Sequence, residues 1–133
     1  MKLLFLSSLT LLASLAQADV AVIVHPSNNA AIDDAAISSI FLGKVSAFPD
    51  GQKALPAVPD ISNPSRGDFL DKIVGKTEPQ YKSYWARLVF TGQAQPPKEM
   101  QDDAKTLELI ATNPNMIGVI DASHLNGTVK RVK

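Results

Sequence analysis

The stretch VAVIV, residues Val20–Val24, is an unbroken run of small and β-branched apolar side chains. A strand with one face in water alternates apolar and polar residues. One that is apolar at every position is covered on both faces, as inside a parallel or mixed sheet. His25-Pro26 ends the run, because proline offers the ladder no N–H. A second run of the same kind, MIGVI at Met116–Ile120, lies near the other end of the chain, with Gly118 marking a close backbone approach. A strand interrupted by Pro56 is expected over Lys53–Val58, and an edge strand over Thr128–Val132 after the Asn126-Gly127 turn.

Helical patterns fill the intervals. Asp33 or Asp34 can cap a helix carrying Ile37, Ile40 and Phe41 inward, with Gly43 just past its end. Asn63 to Gly75, NPSRGDFLDKIVG, reads as a loop turning into a helix. Ser65 stands at the N-cap, Asp68 three residues on completes a near capping box, and Phe69, Leu70, Ile73 and Val74 form one apolar face. Thr77-x-x-Gln80 opens the next helix as a second capping box, with Tyr81, Tyr84, Trp85, Leu88 and Val89 at helical spacing. That aromatic stripe reads as core. Gln93–Lys98 reads as a loop, and Asp102 or Asp103 starts a last helix with Ala104, Leu107, Ile110 and Ala111 inward. The order β, α, β, α, α, α, β, β predicts a three-layer α/β domain, a mixed sheet with helices on both faces.

Residues 1–18 read as a secretory signal: Lys2, an apolar stretch Leu3–Leu15 too short for a comfortable span, and Ala16-Gln17-Ala18 before the cleavage point. Residues 19–133 are then one domain. The 13 basic and 13 acidic side chains balance, and no basic stripe suggests nucleic acid. With no cysteine there is no disulfide framework, thiolate chemistry, Cys-based metal site or lipid-modified cysteine. The expectation is a soluble periplasmic protein, with no membrane insertion after cleavage.

The Asn63–Gly75 element also carries the candidate chemistry. Free N–H groups at a helix start, the Ser62 and Ser65 hydroxyls, Gly67 and the Arg66 guanidinium would meet at one point, an arrangement suited to an anion. The same residues also fit an ordinary capped surface helix with a solvated arginine. An enzyme is not expected. There is no GxSxG, His25 and His124 are far apart, and capping explains the pairs Asp33-Asp34 and Asp102-Asp103.

Three further stretches carry a family resemblance. Ile40-Phe41-Leu42-Gly43-Lys44 resembles the IFxGK signature of phosphate-binding proteins of ABC transporters, the PstS type of periplasmic binding protein. Asn113 to Gly118 resembles that family's (T/N)PG(A/S)IGY stretch. Tyr84-Trp85 with Phe90-Thr91-Gly92 resembles the YWxxxxFTG of its short, single-domain members. The resemblance implies a single-lobe domain of the periplasmic-binding-protein type. It also implies phosphate or a related oxyanion as ligand, with Ser62, Ser65, Arg66 and Gly67 holding it and Lys44 as a longer-range contributor. No cofactor, metal or nucleic acid is implied. A membrane transporter or sensor would be the partner.

There are departures. With Phe69 as anchor, the family's RSDGSGT-like loop falls on Asp60–Arg66. Asp60 then stands at the leading arginine and Arg66 at the threonine, while Val119 replaces a tyrosine after the late Ile-Gly. Full-length members close two lobes around the anion, and this chain has the length of one. The alternative is an accessory module of a periplasmic complex that keeps the fold without the ligand.

Overall fold

A computed structural model describes residues 19–133; the expected signal, residues 1–18, lies outside them. Five strands form one sheet in the order β3-β2-β4-β1-β5: β1 (Val20–Val24), β2 (Leu55–Pro59), β3 (Lys98–Met100), β4 (Met116–Asp121) and β5 (Lys130–Arg131). β2 runs parallel to β3 and β4, whereas β1 is antiparallel to both β4 and β5. The sheet is therefore mixed.

Strand alternation splits the core in two, with the helical layers on opposite faces. Val20, Val22, Val24, Val58, Ile117 and Val119 meet α1 (Asp34–Phe41), the Arg66–Val74 helical segment and α3 (Glu78–Phe90). On the other face Ala21, Ile23, Ala57, Met116 and Ile120 meet α4 (Asp103–Thr112) through Leu107 and Ile110. Two small residues lie side by side under α4, Gly118 and its β2 neighbour Ala57, so the helix rides close to the sheet there. A Cβ on Gly118 would stand 3.1 Å from both Thr106 Cγ2 and Ile110 Cδ1, which is the close approach expected there. Both full-length apolar strands are buried on both faces. Among the described residues no helix is long and apolar enough to cross a membrane.

The caps are largely as expected. Asp33 caps α1, Asp102 caps α4 and Thr77-Gln80 makes both bonds of its box. The Asn63–Gly75 element differs. Only Arg66–Asp68 (α2) is α-helical, and Phe69–Val74 continues as π-helix, ending at Gly75 in the left-handed region (φ 63°). Ser65 does not cap with its side chain. Its backbone is already helical (φ −78°, ψ −6°), whereas a capping residue needs an extended backbone to turn its oxygen back. The wider i→i+5 turn still presents Phe69, Leu70, Ile73 and Val74 to the core.

Three strand expectations also need correction. β2 begins at Leu55 instead of Lys53, and both of its prolines fall where no N–H is required. Leu55 donates to Asn115 O (2.8 Å) on the β4 side. Alternation then turns Pro56 toward β3, whose pairing starts only at Ala57, and Pro59 toward β4, whose pairing has ended at Ala57. β3 takes in Lys98, the last residue of the stretch read as loop, and its three residues, Lys-Glu-Met, carry no alternation to betray it. β5 is only two residues long. In α4, Ala104 is exposed and Thr106 takes the inward place.

Gly118→Val should destabilise the protein by about 1–3 kcal/mol, because Thr106 and Ile110, 1% and 0% exposed, cannot retreat. Urea unfolding of the variant against the parent chain checks this.

Candidate functional site

The parallel strands β2, β3 and β4 end at Pro59, Met100 and Asp121 on one edge of the sheet, where loops enter helices. Ligands of open α/β sheets settle at such edges. Asp60 N–H donates to Met100 O (2.9 Å), fixing the start of the loop. The Asp60 carboxylate accepts from Ser62 N–H (2.9 Å) and Ser62 Oγ (2.6 Å). Asn63 is buried. Its amide donates to Met100 O (3.3 Å) and Asp103 Oδ1 (3.4 Å), and its Oδ1 accepts the Ser65 N–H (3.0 Å). Between this loop and α4 lies a cavity of about 250 Å³ lined by Asn63, Ser65, Asp102, Asp103, Asp121 and His124.

Asp103 is the hub on the far side. Its Oδ2 accepts from the Asp121 N–H (2.9 Å) and meets His124 Nδ1 at 2.7 Å. That contact holds the His124 pKa above 6.5. Asp121 accepts from the Ser123 hydroxyl and N–H (2.7 and 2.9 Å), which lowers its pKa. The Asp103–His124 pair has no signature in the sequence, because its members lie 21 residues apart and meet only when β4 returns beside the start of α4. Among the described residues no three His, Asp or Glu side chains converge to hold a metal ion.

The structure brings Ser62, Ser65, Arg66 and Gly67 to this edge and leaves Lys44 away from it. Ser62 and Gly67 are exposed, and Ser65 is buried. Lys44 lines another cleft with Leu55 and Pro56, where β2 begins. Five strand residues at about 3.3 Å each separate the two ends. Arg66 is not the solvated cation that the anion reading requires. Its Nε and Nη2 donate to the two carboxylate oxygens of Glu78 (2.6 and 3.2 Å), and its Nη1 donates to Pro59 O (2.9 Å). Glu99 lies 3.6 Å from Nη1, and the guanidinium stands 4.9 Å from the centre of the Tyr81 ring. Burial works against the charge on Arg66, but Glu78 outweighs it, and the net shift is upward. The hydrogen bond from Arg66 lowers the Glu78 pKa in turn. Burial pushes the Tyr81 phenol up to about 12.

The fold agrees with the family resemblance. An ABC-type phosphate transport receptor from Vibrio cholerae superposes with a TM-score of 0.68 at 16% identity, over 87% of this chain and 46% of that one. A Clostridium perfringens protein described as a phosphate ABC transporter substrate-binding protein, solved with bound phosphate, gives 0.65 at 20%, over 87% and 44%. PstS from Borrelia burgdorferi gives 0.60 at 16%, over 80% and 42%. The chain thus has the fold of a domain of phosphate ABC transporter substrate-binding proteins and spans less than half the length of each of these three. No family model and no curated protein matches the sequence.

Arg66→Ala should lower stability by about 1–3 kcal/mol, since it strips a buried cation from Glu78 and a donor from the Pro59 carbonyl. Arg66→Lys should recover only part of this, lacking the two-pronged geometry. Denaturant titration measures both. Because Glu78 is depressed in the folded state, its contribution is present above pH 4.5 and is lost as pH falls through the lowered value.

His124 behaves with the opposite sign. Its contribution is full below pH 6.5 and is lost as pH rises through the raised folded value. The melting temperature of the parent chain should therefore fall relative to His124→Gln between about pH 6.5 and 8. An imidazole titration followed by NMR should return to the ordinary midpoint in Asp103→Asn.

Proposed function

We propose that the chain is a periplasmic solute-binding-like protein that takes phosphate or a related oxyanion at the Ser62–Gly67 loop, in ABC-type phosphate uptake or sensing. The observation that carries this is the start of α2. Asn63 takes the Ser65 and Arg66 N–H groups, but Ser65 gives the next N–H groups no side-chain cap, at the strand edge of a fold shared with phosphate-binding proteins. The ligands would be the backbone N–H groups at Gly67 and Asp68 with the Ser65 hydroxyl, joined by the Ser62 hydroxyl once it turns from Asp60 to the anion. Arg66 serves this site by position: it ties the start of α2 to the end of β2 and to Glu78. The surrounding carboxylates, Asp60 and Asp68, favour an oxyanion that still carries a proton, since a carboxylate accepts a hydrogen bond from monohydrogen phosphate and repels sulfate. With one lobe and no free cation at the loop, affinity is weak until a second surface closes over the anion. A membrane transporter or sensor would supply that surface.

A second reading, a ligand-free accessory module of a periplasmic complex, draws on Ile61. This large apolar side chain is 80% exposed at the tip of the same loop, where a partner would sit.

Calorimetric titration of the protein in a low-salt, phosphate-free buffer should show saturable phosphate binding and weaker or absent sulfate binding. Gly67→Asp should abolish it without loss of fold, because a Cβ at Gly67 meets nothing within 4 Å. Silence up to millimolar phosphate would turn the assignment toward the accessory module.

A further inference from the structure

The largest sequence signatures do not end at the Ser62–Gly67 loop. Ile40–Lys44 and the Tyr84–Gly92 stretch both lead to the opposite edge of the sheet. There a cleft of about 410 Å³ opens between Gly43–Ser46, Ala54–Pro56 and Gln93–Gln95. Its walls are built. Gly43 takes a positive φ of 67°, and a Cβ there would stand 2.7 Å from the Trp85 ring. The Tyr84 hydroxyl donates to Leu42 O, Lys44 N–H to Ser39 O (2.9 Å), and Ala54 N–H to Ser46 O (3.0 Å). Gln93 N–H donates to Leu88 O (2.9 Å), which folds the third wall back over α3.

The chemistry of this cleft is the reverse of the other edge. Trp85, Leu55, Pro56 and Ala94 give it apolar surface, and Lys44, Gln93 and Gln95 give it a cation and two amides. Among the described residues that line it there is no carboxylate, and Lys44 is exposed without an ion-pair partner. A cleft of this size with an aromatic wall and a few convergent polar groups suits a small molecule. An unpaired ammonium beside amide donors selects an anion, and the apolar wall selects a body that water does not hold.

We propose that this cleft binds a small organic carboxylate with a flat apolar body. The body lies against Trp85, Leu55 and Pro56, and the carboxylate accepts from Lys44 with Gln93 or Gln95 completing its shell. The site shares no residue with the Ser62–Gly67 loop, so either can stand if the other falls.

Trp85 is the chain's single tryptophan, and its fluorescence reports on this cleft. Phenylacetate added to the protein should give a saturable fluorescence change, with NMR shifts at the Lys44, Gln93 and Gln95 amides. Phenylacetamide, the same body without the charge, should bind about tenfold more weakly, and Lys44→Gln should cost phenylacetate about the same factor. Gly67→Asp should leave phenylacetate binding unchanged. No saturable change at millimolar phenylacetate, equal binding of the amide, or full affinity in Lys44→Gln would each overturn the proposal. So would inorganic phosphate competing at this cleft with equal dependence on Lys44, since the ligand class would then be the bare oxyanion.

Discussion

Arg66 leaves the first turn of α2 and reaches three other elements at once: the last carbonyl of β2, the first residue of α3 and, beyond them, Glu99 on β3. This bridge works with Asn63, which holds the Ser65 and Arg66 N–H groups, to fix the origin of the π-helical segment, since Ser65 makes no side-chain cap and Gly75 releases the segment after Val74. Burying a guanidinium costs several kcal/mol of lost hydration, and Glu78 and the Pro59 carbonyl return it only because each donor is aimed at an acceptor. Such a pair contributes little net stability compared with a well-packed apolar substitute. It does penalise every arrangement in which α2, α3 and β2 are out of register, since each would leave a buried charge unmatched. Tyr81 then carries the same anchor into the core. Its ring lies under the guanidinium and edge-on to Phe69, which meets Phe41 of α1, while Tyr81 and Tyr84 flank Trp85 on the other side. The polar bridge and the aromatic chain together set the helical layer over β1, β2 and β4.

What was legible in the sequence follows from how local each signal is. VAVIV and MIGVI announce burial on both faces through their own residues, and the Thr77-Gln80 box needs only four consecutive positions. The helix ends at Phe41 and Phe90 likewise have their glycines close by. β3 was not legible, because a three-residue edge strand owes its existence to β2 alone and has too few positions to show alternation. The role of Arg66 was not legible for a related reason. Beside two serines and a helix start, a free cation and a paired one look alike, and the pairing carboxylate lies twelve residues on, across the π-helical segment. The same applies to Asp103, whose reading as a cap fitted its position next to Asp102. Its contacts to Asn63 and His124 are to segments that follow β2 and β4, which only the folded sheet brings beside the start of α4.

The two sheet edges differ most in charge, and that difference bears on what a single lobe of this type can do. At the strand C-terminal edge, the cation that the sequence offers is already neutralised by Glu78, and Asp102, Asp103 and Asp121 line the neighbouring cavity. Any anion there leans on backbone N–H groups and hydroxyls, which hold it without cancelling its charge. Such a half-site gains its strength from closure, because excluding water raises the worth of each N–H donor. The solved structures it resembles are more than twice the length of the matched region, so a covering surface of the kind proposed for this loop would lie outside the described residues. At the opposite edge Lys44 stands uncompensated beside an apolar wall. A ligand of the kind proposed for that cleft would meet both its charge partner and its apolar contacts within this one domain. A ligand in the Lys44 cleft would draw on groups of this domain alone, held by the packing of Gly43 against Trp85, whereas an anion at the Ser62–Gly67 loop would gain from any surface that reached Ile61 and covered Gly67.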